Sequence, residues 1–383
     1  MLTAPGSGWT YYFYRGASEP ILVACTLWAI DRAIAERFLQ AWWFGVALGL
    51  MRPEAWPFLL LYGAWLFWQL PHLRVWVVIG LMAQPIGWFV PPWISTGQPF
   101  LAATHASEYN GHLGASRLRT VLGRGESLQS LPSLLLAGAA VVLTLWRGRD
   151  RLVFWLAGAV AAWWIVVVGM TLDGYPGLQR FYLPAAAVTC VLSGLGLMLV
   201  AFALGDLLTG RIGRRGSDSW ADPRPSPLYG VVVAGATALI LLGATHFVGS
   251  RWAFARKQQH LAAVAVTRID ALGTAVAVLG GRTGVLPCGS SVVTINHSLQ
   301  TALAWKLGTT LERVQTVLRA PGPTGSASSS GGGLAFVGPW DSIDGGPPPI
   351  DPSLSVHKQI RTVGPWRIFE VYAPGAKPRC VGG

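Results

Sequence analysis

Long apolar runs, broken by short polar turns, set the pattern of the first two thirds of the chain. They cover roughly residues 20–36, 38–51, 55–70, 75–90, 131–146, 152–171, 181–205 and 229–248. The pattern predicts about eight membrane-spanning helices. Gly and Pro inside several runs do not oppose this, because membrane helices tolerate both. No internal repeat is visible.

Beyond residue 250 the pattern changes. Arg251 to about Asp270 reads as an amphipathic helix. From 283 onward Gly, Pro and Ser punctuate short β-like runs, with 283–288 and 366–372 the best strand candidates. Residues 299–307 read as a helix and 321–333 as a flexible loop. The expected organisation is a transmembrane domain over 1–250, an amphipathic connecting helix over 251–282 and a small α/β domain over 283–383. The fold class expected is mainly α, a polytopic membrane protein.

Composition sharpens this. Only 12% of residues are charged and 52% are hydrophobic, with 19 Trp; soluble domains carry roughly 25% charged residues. The net charge of +12 is spread over loops, so it reads as topology and lipid contact, and no nucleic-acid partner is expected. The excess of Arg over Lys suggests a high-GC bacterial genome. The start of the chain lacks the basic and apolar regions of a signal peptide.

Orientation follows from the loop arginines. Arg32, Arg37, Arg74, Arg147, Arg149, Arg151, Arg211, Arg214, Arg215 and Arg224 lie on one side. Arg15, Arg52, Arg117, Arg119, Arg124 and Arg180 lie on the other. Ten against six makes the first side cytoplasmic. The N-terminus, the Arg52 turn, loops 91–130 and 172–180 and the C-terminal domain are then expected outside a plasma membrane. There Cys288 and Cys380 could pair as a disulfide.

Six outer arginines ask for a reason. Residues 38–51 cover about 21 Å as a helix, short of a hydrocarbon core of about 30 Å. The Arg52-Pro53-Glu54 turn is therefore expected at or just below the surface, facing protein or a wet cavity, unless Arg52 snorkels to headgroups. Pro53 suits the start of the next helix. Glu19 follows Ser18, a capping residue, and suits a helix N-terminus. Arg180 opens a helix from outside, where a cation opposes the dipole unless an anion is near, and phosphate is a candidate. Asp173 lies in the turn before it. In loop 91–130, His105, Glu108, Tyr109 and His112 offer polar contacts, but no recognised zinc spacing is present. Asp341 and Asp344 read as loop. No P-loop, dinucleotide fingerprint or hydrolase elbow occurs. The candidate site is thus Glu19, Arg52, Glu54, His105, Glu108, Tyr109, Asp173 and Arg180, binding an anionic lipid headgroup and a polar substrate. A carboxylate would serve as base or as ligand to a divalent metal such as Mg or Mn.

The segments Ala17-Ser-Glu-Pro20, Gly49-Leu-Met-Arg-Pro-Glu-Ala55 and Gly174-Tyr-Pro-Gly-Leu-Gln-Arg-Phe-Tyr-Leu-Pro184 resemble actinobacterial glycosyltransferases of the GT-C superfamily. These include mannosyl- and arabinosyltransferase-like enzymes. The resemblance covers roughly 9–250. It implies inverting transfer of a sugar from a polyprenyl-phosphate donor to a glycan, lipid or protein acceptor at the outer face. Arg180 would then lie near the lipid phosphate, and Arg52 and Glu54 in the cavity wall. In that family the catalytic Asp follows a first transmembrane helix. This chain shows neither before residue 16, so it is expected to start downstream of them. The alternative is a non-catalytic membrane protein that binds or translocates polyprenyl-linked glycans.

Overall fold

A computed structural model describes residues 9–14, 17–97, 99–100, 117–126, 128–147, 151–173, 175, 177–208, 227–287, 292–296, 299–316, 332–339 and 356–372. The chain divides into two compact units, Met1–Gln258 and Gln259–Gly383.

The first unit is helical. After the short α1 (Trp9–Tyr14) come α2 (Glu19–Ile34), α3 (Phe38–Met51), α4 (Trp56–Gln69) and α5 (Arg74–Thr96). Then follow α6 (Arg117–Glu126), α7 (Leu131–Arg147), α8 (Arg151–Leu172), α9 (Leu183–Leu208) and α10 (Pro227–Val278). Apolar periodicity placed most of these within a few residues of their observed ends. α10 differs: one helix runs where a span and a separate amphipathic helix were expected. Gly249-Ser250 marks that boundary in sequence, yet it supplies no proline to remove a backbone donor.

Among the described residues, four stretches are long and apolar enough to cross a membrane: Pro71–Ile94, Arg151–Leu172, Gln179–Leu208 and Trp252–Val278. Leu61, Ile79, Leu135 and Ile165 are exposed on the outer faces of their helices. A water-soluble surface does not carry so much large apolar area.

Without a hydrophobic drive between helices in lipid, packing depends on small residues and close contact. Trp42 shows this. It is fully buried, donates its indole N–H to the Trp76 carbonyl at 2.9 Å, and fits only because Gly63 and Gly80 face it. A Cβ at Gly80 would lie 2.6 Å from its Nε1. α7 and α9 approach more closely still: a Cβ on Gly196 would lie 1.8 Å from the Leu136 carbonyl oxygen. Ser193 reaches across the same seam to the Ser133 carbonyl at 2.7 Å.

The second unit holds a mixed sheet of order β2-β1-β3-β5-β4, from β1 (Val293–Thr294), β2 (Val314–Gln315), β3 (Gly332–Val337), β4 (Val356–Val363) and β5 (Trp366–Tyr372). β1 runs parallel to β2 and β3, and β5 antiparallel to β3 and β4. The β4–β5 loop is Gly364-Pro365. Gly364 takes φ +54°, and proline then fixes the negative φ that follows. The core joins Leu272, Ala275 and Val276 of α10 to Leu303 of α12 (Gln300–Leu307) and to Phe336, Trp366 and Ile368.

The strand expected at 283–288 is instead a helical turn, α11 (Gly281–Val285). Gly280 and Gly281 both hold positive φ, and Gly284 sits where a Cβ would strike the Leu279 carbonyl. Three glycines form a reversal that apolar alternation does not reveal. Gly332 and Gly333, assigned to the flexible loop, begin β3. Most of that loop, with Asp341, Asp344, Cys288 and Cys380, lies outside the described residues.

Gly196→Ala is expected to destabilise the bundle by ~1–3 kcal/mol, the range for overpacking. Gly194→Ala, which meets open space, is the control and should not destabilise. Thermal unfolding in detergent reads the contrast; equal midpoints for the two variants would contradict the packing at this seam.

Candidate functional site

α3 ends because residue 53 is proline. A pre-proline residue is pushed to extended backbone, and Arg52 has φ −146° and ψ 115°. Pro53 has no N–H for the Gly49 carbonyl one turn back. Two indoles supply the missing donor: Trp56 Nε1 at 3.0 Å and Trp88 Nε1 at 3.2 Å. A 3-10 turn over Pro53–Ala55 then leads into α4. This fixes the turn and aims Arg52 and Glu54 into the protein, where both are buried.

Arg52 does not snorkel. Its Nη2 donates to Glu19 Oε1 at the first turn of α2. Arg180 Nη1 stands 3.9 Å from that same oxygen. Three segments far apart in sequence therefore share one carboxylate. Ser18 occupies the N-cap position but has helical backbone and makes no side-chain cap bond. Glu19 is nearly sealed from solvent, at a helix N-terminus and beside two guanidinium groups.

Phe181 lies under both cations, its ring centre 4.9 Å from the Arg52 guanidinium carbon and 5.5 Å from that of Arg180. Such placement adds cation–π attraction. Trp163 Nε1 holds the Phe181 carbonyl at 2.8 Å, and the Tyr175 ring sits 5.0 Å from Phe181. The preceding turn is shaped by Gly177 at φ +50°, where a Cβ would come within 2.6 Å of Thr171. Arg124 of α6 donates to the Gly177 carbonyl at 3.0 Å. Below lies an apolar floor of Leu22, Leu48, Ala55, Trp163, Val167 and Phe181.

The cluster is not saturated. Arg52 Nε, Arg180 Nε and both Glu54 oxygens are buried without a hydrogen-bond partner. Burial, followed by the Glu54 carboxylate, pushes the Tyr175 phenol up to about 12. Tyr175 thus stands beside Glu54, yet neither Glu54 oxygen completes a well-formed bond. Burial likewise pushes Tyr12 of α1 up to about 12, against the pull of Arg180. Both phenols stay protonated donors at physiological pH. The site therefore offers guanidinium and phenol donors beside a carboxylate acceptor. That set suits a ligand carrying both an anion and hydroxyl groups.

Of the residues expected to form the site, Glu19, Arg52, Glu54 and Arg180 lie together. Asp173 is exposed at the end of α8 and joins no ion pair with them among the described residues. His105, Glu108, Tyr109 and His112 lie outside the described residues. Among the described residues no three of His, Cys, Asp and Glu are grouped to hold a metal. Sequence reading missed Tyr12, Tyr175 and Phe181. Tyr175 lies inside a Gly-Tyr-Pro-Gly turn signal, and Tyr12 inside an aromatic run that resembles a membrane-interface belt.

No protein-family model matches the chain, and neither a curated protein nor a solved structure matches it significantly.

Arg52→Ala leaves the buried Glu19 carboxylate without its bonded partner, and is expected to destabilise by about 3–5 kcal/mol. Glu19→Gln combined with Arg52→Met should recover part of that loss in chemical unfolding. A single variant as stable as the parent would show that the pair is not buried. The tyrosines give a pH test. A folded-state pKa raised from 10.0 to about 12 contributes stability present below pH 10 and lost as pH climbs through about 12. Phenolate absorbance should show a late component near pH 12 that shrinks in Tyr12→Phe/Tyr175→Phe; an unchanged late component, with both titrating near pH 10, would contradict their burial.

Proposed function

We propose that this chain is a membrane glycosyltransferase, or the larger part of one, that takes its sugar from a polyprenyl-phosphate donor. The observation that carries the reading is the convergence of Glu19, Arg52, Glu54 and Arg180 on one cluster with unused hydrogen-bonding atoms. The Arg180 side chain is 42% exposed while Glu19 is 2% exposed. Arg180 therefore turns its free donors toward an incoming ligand, with the Arg52–Glu19 pair behind it. Guanidinium groups bind phosphate well, and a fixed pair of them stabilises charge that develops on a leaving phosphate.

In this reading the eight apolar segments span a plasma membrane, and the cluster faces outward. In the same reading the Arg52 turn lies at or just below the headgroups, where a polyprenyl chain in the bilayer can present its phosphate sideways. The residues divide by chemistry: Arg180 and Arg52 hold phosphate, and Glu19 fixes Arg52. Glu54 is the one described carboxylate of the cluster not held by a guanidinium, so it is the group there able to accept a proton from an acceptor hydroxyl. A second reading, a non-catalytic binder or translocator of polyprenyl-linked glycans, draws on the same cluster. It is favoured by the exposure of Asp173, which leaves Glu54, among the described residues, without a second carboxylate free of guanidinium in the cluster.

Arg180→Ala is expected to weaken binding of a polyprenyl-phosphate analogue by about 1.5–3 kcal/mol, the range for hydrogen bonds to charged groups. Purified protein in nanodiscs, given labelled polyprenyl-phosphate mannose or arabinose, should release polyprenyl phosphate when an acceptor glycan is present. Binding without release would select the second reading. Unchanged affinity in the variant would reduce Arg180 to a membrane anchor.

A further inference from the structure

Glu54 is the least explained group in the cluster. A carboxylate 2% exposed ordinarily has its oxygens filled, because an unpartnered buried acceptor is destabilising. Here neither oxygen has a well-formed hydrogen bond, although the Tyr175 phenol and two guanidinium groups are nearby. Arg52 is turned away from Glu54 and given to Glu19, and Arg180 approaches Glu19 as well. The cluster thus keeps one carboxylate neutralised and one available. Pro53 is the reason. The 3-10 turn it starts and the indole clamp on Gly49 fix the backbone between Arg52 and Glu54, so the two neighbours cannot pair with each other.

We infer that Glu54 is the seat for hydroxyl groups of the sugar headgroup, so the site distinguishes a glycosylated polyprenyl phosphate from the bare lipid phosphate. This rests on the reading of Arg180 and Arg52 as the phosphate grip. A carboxylate has about four acceptor sites, so Glu54 beside the Tyr175 phenol still accepts two hydroxyl donors, and vicinal hydroxyls on a ring present them at the matching spacing. A phosphate monoester offers at most one P–OH near neutral pH and no vicinal pair, and its second charge is repelled beside a buried carboxylate. Tyr175 stands at the junction, next to Glu54 and within the field of both arginines. Its phenol is a donor, so it holds Glu54 toward the ligand and acts as a positioning residue. The apolar floor below contributes shape and excludes water, which strengthens each polar contact above it.

The test compares two lipids on the full chain in nanodiscs: polyprenyl phosphate, and the same lipid carrying mannose or arabinose. The parent protein is expected to bind at least one glycosylated lipid more tightly. Glu54→Gln should lower that affinity by about tenfold or more, the effect of weakening hydrogen bonds to a charged acceptor, and leave the bare phosphate within about threefold. Tyr175→Phe, which keeps the ring packed against Phe181, should show the same selective loss at smaller size, and stands in if Glu54→Gln does not fold. Equal affinities for the two lipids in parent and variants overturn the inference while leaving the phosphate grip intact. Equal loss for both lipids also overturns it and makes Glu54 a structural group. Failure of the parent to bind bare polyprenyl phosphate, with glycosylated lipid equally unbound, overturns the functional reading itself.

Discussion

The ion pair between Arg52 and Glu19 is the constraint on which the first unit depends. Neither charge can be left alone in an apolar bundle, since each loses several kcal/mol of hydration on burial. Their meeting ties the start of α2 to the junction of α3 and α4, and Arg180 adds the connection between α8 and α9. Such a pair adds little net stability compared with well-packed apolar groups. Its value lies in specifying which helix ends meet, and at what height.

The surroundings hold this meeting in place by ordinary means. Pro53 stops one helix and starts another, and the carbonyl it strands is taken by Trp56 and Trp88. Trp163 fixes the backbone of Phe181, whose ring supports both guanidinium groups. Gly177 and Arg124 shape the turn that brings Arg180 in. Each is a local solution to a local problem of an unsatisfied donor, an unsatisfied acceptor or a crowded Cβ. Together they leave both Glu54 oxygens without a well-formed hydrogen bond from the protein.

Much of the fold was legible in the sequence. The helices of the first unit follow from apolar runs bounded by Arg, Pro and Gly, and β5 from the alternation of Trp366 to Tyr372. Where reading failed, glycine or continuity decided. The turn at 281–285 depends on positive φ at Gly280 and Gly281, and α10 continues because nothing stops it. The site was legible only as candidates. Arg52, Glu54, Glu19 and Arg180 were each conspicuous as charges next to apolar runs, but no spacing says that residues 19, 52 and 180 share one contact. That contact comes from tertiary packing of helix ends. Tyr12 and Tyr175 were hidden because their sequence neighbours carry stronger local meanings. Asp173, conspicuous for the same reason as the others, is exposed at a helix end.

The proposed grip on a phosphorylated lipid is tested most directly by photo-crosslinking. A polyprenyl phosphate carrying a photoreactive group close to its phosphate, irradiated with the protein in nanodiscs, labels whatever surrounds that phosphate. Peptide mapping is expected to place the label on segments containing Tyr12 to Glu19, Gly49 to Trp56 and Tyr175 to Tyr182, and to lose it when excess unlabelled polyprenyl phosphate is added. Label spread over the lipid-facing surfaces of α7 and α8, insensitive to competitor, would contradict it.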